Sequence, residues 1–117
     1  MSSELSDHDS FCPHFQKAIE LIGKRWSGSI LRALLDGPMR FSEISSHIPE
    51  LSDRTLSTRL KELETEAVIV RTVASTQPVT VSYELTEKGR ALESVITEAE
   101  RWAHDWVAPR ESSPLGA

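Results

Sequence analysis

Apolar residues in this chain recur mostly every three or four positions, and in one stretch every second position. Phe15, Ala18, Ile19 and Ile22 carry the helical period, which predicts a first helix from about His14 to Ile22, ended by Gly23. Trp26, Ile30, Leu31, Leu34 and Leu35 repeat it in a second helix, and Asp36-Gly37-Pro38 stops it. Met39 and Arg40 have room for a short strand. Phe41 to Ile48 reads as a third helix, and Pro49 breaks it into a turn. A fourth helix, capped at Ser52, runs to Thr65 and turns Leu56, Leu60 and Leu63 inward.

The period then changes. Val68 to Val73 and Val79 to Leu85 are rich in β-branched residues, with Ala74 to Pro78 as the tip between them. In the second run Val79, Val81, Tyr83 and Leu85 alternate with Thr80, Ser82 and Glu84. This predicts a two-stranded hairpin, which must lean on the helices through its apolar face because an isolated hairpin is marginal. Thr86 caps what reads as one long final helix, with Glu87 in its first turn and Pro109 at its end. Its stripe is Leu92, Val95, Ile96, Ala99, Trp102, Ala103 and Trp106, too large for so small a domain to cover. That predicts an interface with a second copy.

The expected fold is therefore mainly α with a small β-hairpin wing, a winged helix-turn-helix. Residues 1–14 read as a flexible arm, 15–108 as the DNA-binding and dimerisation domain, and 109–117 as a disordered tail.

With Leu56 taken as inward, at 100° per residue, Arg54, Thr58, Lys61 and Thr65 of the fourth helix point outward and Ser57 sits on the shoulder. After Asp53 that face carries no acid until Glu62. Recognition helices touch base edges mainly with their N-terminal residues, so Arg54, Thr55, Ser57 and Thr58 are the candidate readers. Lys24, Arg40, Arg59 and Lys61 are candidates for phosphate, although Arg59 flanks the buried stripe and is as well placed for an acid. Ser42, at the start of the third helix, joins them, and Thr76 and Gln77 at the hairpin tip are neutral donors for a phosphate.

Charge changes the picture little. The chain of 117 residues carries a net −5, which by itself argues against nucleic acid. Residues 1–20 hold one base and four acids, residues 72–117 four bases and seven acids, and the stretch between them eight bases and seven acids. The helix-turn-helix lies in the least acidic part. No apolar run approaches a membrane span and the N-terminus lacks the pattern of a signal peptide, so no membrane and a cytoplasmic location are expected. No Gly-rich phosphate loop, nucleophile elbow or His-Glu-x-x-His pair is present, and no enzyme activity or cofactor is expected. His8, Cys12 and His14 match no common zinc spacing, so no metal is expected.

Several motifs coincide in order: Cys12-Pro13, Leu21-Ile-Gly-Lys-Arg-Trp26, Ile30-Leu-Arg-Ala-Leu-Leu-Asp-Gly-Pro38, Arg40-Phe41, Leu56-Ser-Thr-Arg-Leu-Lys-Glu-Leu63 and Tyr83-Glu-Leu-Thr-Glu-Lys-Gly89. Over residues 12 to 106 the chain resembles the HxlR-type family of bacterial transcriptional regulators. The resemblance implies a homodimer on double-stranded DNA at a pseudo-palindromic operator, dimerising through its N- and C-terminal helices, so that Phe15 and Ile19 of the first helix share the interface with the stripe of the last across the two-fold axis. Family members include repressors and activators, and several sense oxidants or electrophiles through an N-terminal cysteine, whose position Cys12 matches. Two departures stand out. The family's usual Gly-Gly-Lys-Trp is here Gly23-Lys24-Arg25-Trp26, and no Lys or Arg lies between Arg71 and Lys88, where a wing tip commonly has one.

Cys12, the single cysteine, is either an inert residue of the arm or a redox sensor able to form an intersubunit disulfide or accept a small thiol. A small aromatic or aldehyde-like ligand beside Trp102 and Trp106 is the other candidate input. The rival from another class is a winged-helix protein–protein adaptor without specific DNA binding, which the acidic ends and uncharged wing tip would suit.

Overall fold

The computed structural model describes residues 10–108. The arm's first nine residues, His8 with them, and residues 109–117 lie outside the described residues. In chain order the elements are α1 (Pro13–Gly23), α2 (Ser27–Leu34), β1 (Met39–Arg40), α3 (Phe41–His47), α4 (Asp53–Thr65), β2 (Ile69–Ala74), β3 (Thr80–Leu85), α5 (Glu87–Arg90) and α6 (Glu93–Trp106).

Local chemistry places each boundary. Cys12 occupies the cap position of α1, with Pro13 at the first helical position, where its missing N–H costs nothing. Trp26, at φ 77°, turns the chain into α2 in the left-handed region, which ordinarily falls to glycine. Ser52 accepts the Thr55 N–H and caps α4. Ala67, at φ 62°, then reverses the chain, and Val68 N–H bonds back to the Leu63 carbonyl across six residues.

The core gathers around α2. Ile30, Leu31 and Leu34 are fully buried against Ile44 of α3, Leu56, Leu60 and Leu63 of α4, and Val68, Ile69 and Leu85 at the base of the sheet. Burying each such side chain contributes about 1.5–3 kcal/mol, enough to fix α3 and α4 as one unit. Ser45 Oγ donates to Asp53 Oδ1 at 3.0 Å and ties the end of α3 to the start of α4.

The sheet has three antiparallel strands in the order β1-β3-β2, where sequence patterning predicted a hairpin of two. β1 pairs Met39 with Tyr83 and Arg40 with Ser82, so it braces only the base of the wing. In consequence the apolar face leans on the helices over half its length. Leu85 and Ile69 are buried, whereas Val73 and Val79 beyond them are exposed.

The final helix also departs from expectation: it is two. Leu92 N–H bonds to the Gly89 carbonyl, a tight three-residue step, and α6 starts afresh from Leu92. The cause is tertiary. Thr86 Oγ1 caps the Gly89 N–H and donates to the Ala67 and Val68 carbonyls at 2.6 and 3.1 Å, pinning the four-residue α5 to the end of α4. α6 then follows α2 instead, held by Arg32 Nε on Glu100 Oε1 at 2.9 Å. Glu100, and Asp36 behind it, push the exposed Arg32 guanidinium further up from its ordinary range.

Candidate nucleic-acid interface

The two helices of the helix-turn-helix are α3 and α4, and α4 presents its first turns outward. Arg54, Ser57 and Thr58 are exposed, and Thr55 is half-buried. Arg54 has no ion-pair partner and Ser57 no hydrogen-bond partner among the described residues, so both polar ends are available. Thr58 spends its hydroxyl proton on the Arg54 carbonyl at 3.1 Å and keeps its oxygen as an acceptor. Thr55 Oγ1 accepts from Ser52 Oγ at 3.0 Å. Asp53 is the acid nearest this face, and its bond to Ser45 directs it toward α3.

The predicted phosphate contacts divide. Lys61 is exposed. Arg40 is exposed as well, but its Nε lies 3.8 Å from Glu43 Oε1, which also accepts the Arg40 N–H at 2.7 Å. Ser42 is exposed at the second position of α3. Arg59, by contrast, turns inward: its side chain is 17% exposed, Nε donates to the Arg25 carbonyl at 2.9 Å, and Nη1 meets Glu62 Oε1 at 3.3 Å. Of the two partners its position allowed, it takes the acid. Lys24 binds the other oxygen of the same carboxylate at 3.1 Å. Glu62 is thereby neutralised and joins the α1–α2 corner to α4. No sequence motif signals this latch, because its three members lie 38 residues apart at the widest.

At the wing tip, Thr76 Oγ1 is turned back onto the Pro78 carbonyl at 2.6 Å, and Gln77 is exposed. Arg71, an exposed cation on β2, was not among the expected contacts although it stands on the wing itself.

The predicted dimer stripe on α6 also splits in two. Ile96 is 9% exposed and belongs to the protomer's own core, half-buried Leu92 packs against that core, and Ala103 is half-buried further along the helix. Val95, Ala99, Trp102 and Trp106 stay exposed, the tryptophans by 60% and 65%. α1 buries none of its residues, and Phe15 and Ile19 are 63% and 42% exposed. Cys12 is half-buried and free, its Sγ accepting the Phe15 N–H at 3.4 Å.

A helix pair with an open reading face, followed by a β-hairpin at its flank, defines a winged helix-turn-helix protein. Residues 21–111 match the HxlR-like helix-turn-helix family, and the chain belongs to it. The HTH-type transcriptional regulator YvaP of Bacillus subtilis (strain 168) is 46% identical over 103 residues, covering 88% of this chain and 95% of its own. YodB of the same organism, also an HTH-type transcriptional regulator, is 44% identical over 104 residues, covering 89% and 93%. The reduced form of YodB superposes with a TM-score of 0.76 at 46% identity, covering 85% of this chain and 97% of that one. YodB structures after diamide treatment and with quinone bound give 0.72 and 0.71. The redox regulator HypR in its oxidised form gives 0.76 at 33% identity, covering 80% and 96%. The relatives are thus regulators of transcription. Among the described residues no helix is long and apolar enough to cross a membrane.

Proposed function

We propose that this chain is a homodimeric, sequence-specific DNA-binding regulator of transcription, with Arg54, Thr55, Ser57 and Thr58 reading bases. The observation that carries the reading is the open N-terminal face of α4, unpaired at Arg54 and Ser57 and flanked by a neutralised Glu62. Arg40, Ser42 and Lys61 supply phosphate contacts, with Gln77 as a neutral donor from the wing, and Thr76 joins it only by releasing the Pro78 carbonyl. Lys24 and Arg59 act from behind, by holding α4 against the α1–α2 corner. Two-fold symmetry puts the reading helices about 34 Å apart, or a multiple of that, on a pseudo-palindromic operator.

Fluorescence anisotropy on the duplex upstream of the gene, against a scrambled duplex at two salt concentrations, tests this. Binding should be selective and fall with salt at a log–log slope of about −0.9 per phosphate contact. Arg54→Ala should cost about 1–3 kcal/mol of discrimination, roughly a 10- to 100-fold loss on the operator and little on the scrambled duplex. Equal, salt-insensitive binding to both duplexes, repeated on genomic fragments, would sink the DNA reading and leave the adaptor.

The input we propose is the Cys12 thiol. Its support is its place as the cap of α1, together with relatives solved as a redox regulator and in diamide-treated and quinone-bound forms. An oxidised or alkylated sulfur is bulkier at the cap and would disturb the start of a helix whose first turns are exposed. Serine is itself a favoured cap residue, so Cys12→Ser should fold and bind DNA normally yet ignore oxidants and quinones. A response that survives in that variant would move the search to a non-covalent ligand.

A further inference from the structure

Among the described residues, the core comes nearest to solvent in one cleft. Ala33, Ile48 and Ile96 keep the most exposure of the core's side chains, 8%, 9% and 9%, and all three line this cleft of about 790 Å³. α2 forms one wall, α6 another, and the turn between α3 and α4 the third. Val95 and Ala99 of α6 and the half-buried Trp26 extend its apolar surface. That volume, with a mostly apolar lining and a few polar groups, is characteristic of small-molecule sites.

The polar groups at its rim are mainly acceptors. Arg32 is the one Lys or Arg in the lining, and it spends Nε on Glu100 Oε1 at 2.9 Å and Nη1 on Asp36 Oδ1 at 3.5 Å. Those two acids and Glu50 set three carboxylates against one guanidinium. Arg25 stands outside the lining, 5.1 Å from the centre of the Trp26 ring, and counting it still leaves the acids in excess. Glu50 is exposed and has no ion-pair partner among the described residues. His47 Nδ1 meets the Glu43 carbonyl at 2.9 Å. A carbonyl only accepts, so in the neutral ring Nδ1 carries the proton and Nε2 is left as an acceptor.

We propose that this cleft binds a small aromatic molecule carrying a protonated amine or amidinium head. The ring covers Ala33, Ile48 and Ile96, and the head donates to the rim, to Glu50 and His47 Nε2 first. A carboxylate ligand meets an excess of acid there, and a neutral aromatic gains only the floor. Neither Cys12 nor Trp102 nor Trp106 lines the cleft, so the site is separate from the thiol and from the exposed tryptophans. It also stands whether or not α4 reads DNA. Ile48, Pro49 and Glu50 belong to the turn of the helix-turn-helix, so an occupant touches that turn and α6 together and holds one against the other.

Benzamidine is the probe, with benzamide and benzoate as its neutral and anionic counterparts of similar size. In NMR titrations of the full-length protein, benzamidine should shift the amides of Ile48, Glu50 and Ala99 and the Trp26 indole N–H. It should bind about tenfold more tightly than benzamide, with benzoate weaker still. Glu50→Gln removes a charge that nothing in the protomer pairs with, so the fold should be unchanged. It should weaken benzamidine about fivefold and leave benzamide as it was. Ser29→Trp, at an exposed position on the α2 wall, should block both probes. Equal binding of the three probes, or benzamidine binding indifferent to Glu50→Gln, overturns the proposal. So do shifts confined to Trp102 and Trp106, which put the ligand on the α6 stripe, and the absence of any saturable shift, as when a second copy covers the cleft.

Discussion

Trp102→Ala combined with Trp106→Ala yields a folded monomer that binds the operator roughly 10²- to 10⁴-fold more weakly than the parent protein. The protomer should survive the change because neither ring contributes to its core, both being more than half exposed. The DNA affinity should not survive it. A dimer that has engaged one half-site binds the second at an effective concentration set by its own geometry, and the monomer loses that gain entirely. The lost area points the same way, since four rings carry about half of a standard interface. Trp26, half-buried against the core and stacked 5.1 Å from the Arg25 guanidinium, becomes the only tryptophan. Its fluorescence then reports folding without interference. Light scattering gives the mass and anisotropy gives the affinity. A variant that remains dimeric would take the tryptophans out of the interface, and a monomer with unchanged operator affinity would refute the two-fold reading.

Much of this architecture was legible in the pattern of apolar positions. The leucines of α4 fall at i, i+4 and i+7, and all three are buried as that spacing requires. Met39 and Arg40 do form a strand. Their pairing with Tyr83 and Ser82 was not legible, because a two-residue strand carries no period of its own. The α6 stripe shows the limit of a helical wheel. Ile96 and Trp106 differ by about 80° around the axis, close enough to read as one apolar face yet far enough apart to meet different partners. Arg59 shows a second limit. From position alone an acid and a phosphate were equivalent, and only the Arg25 carbonyl, brought near by the left-handed turn at Trp26, decides for the fold.

The latch at Glu62 follows from that same turn and bears on function. Lys24 and Arg59 hold one carboxylate between them, and Arg59 also bonds the backbone of the corner that ends α1. A movement of α1, such as the proposed change at its Cys12 cap would cause, would reach α4 through these short polar contacts. They meet α4 behind its proposed reading residues. The device suits a regulator whose operator affinity depends on where two such helices stand relative to each other.

The joint between wing and dimer helix tolerates even less change, and Gly89→Ala should destabilise the protein by about 3 kcal/mol. Gly89 is buried, and a Cβ placed on it would overlap the Val68 carbonyl oxygen, a backbone atom with no rotamer to yield. That carbonyl already accepts from Thr86 N–H at 3.0 Å and from Thr86 Oγ1 at 3.1 Å. Relief therefore requires α5 to lift away from the end of α4, which breaks the Thr86 clamp along with the contact. Alanine is otherwise the better helix former by about 1 kcal/mol, so propensity predicts the opposite sign. Urea unfolding followed by tryptophan fluorescence decides between them. A midpoint that falls steeply shows that the close approach governs, whereas an unchanged or raised midpoint would mean that α5 is free to shift. The variant should also bind DNA poorly under conditions where it remains folded, because α5 links the reading helix to α6 and a lifted α5 lets the two drift apart.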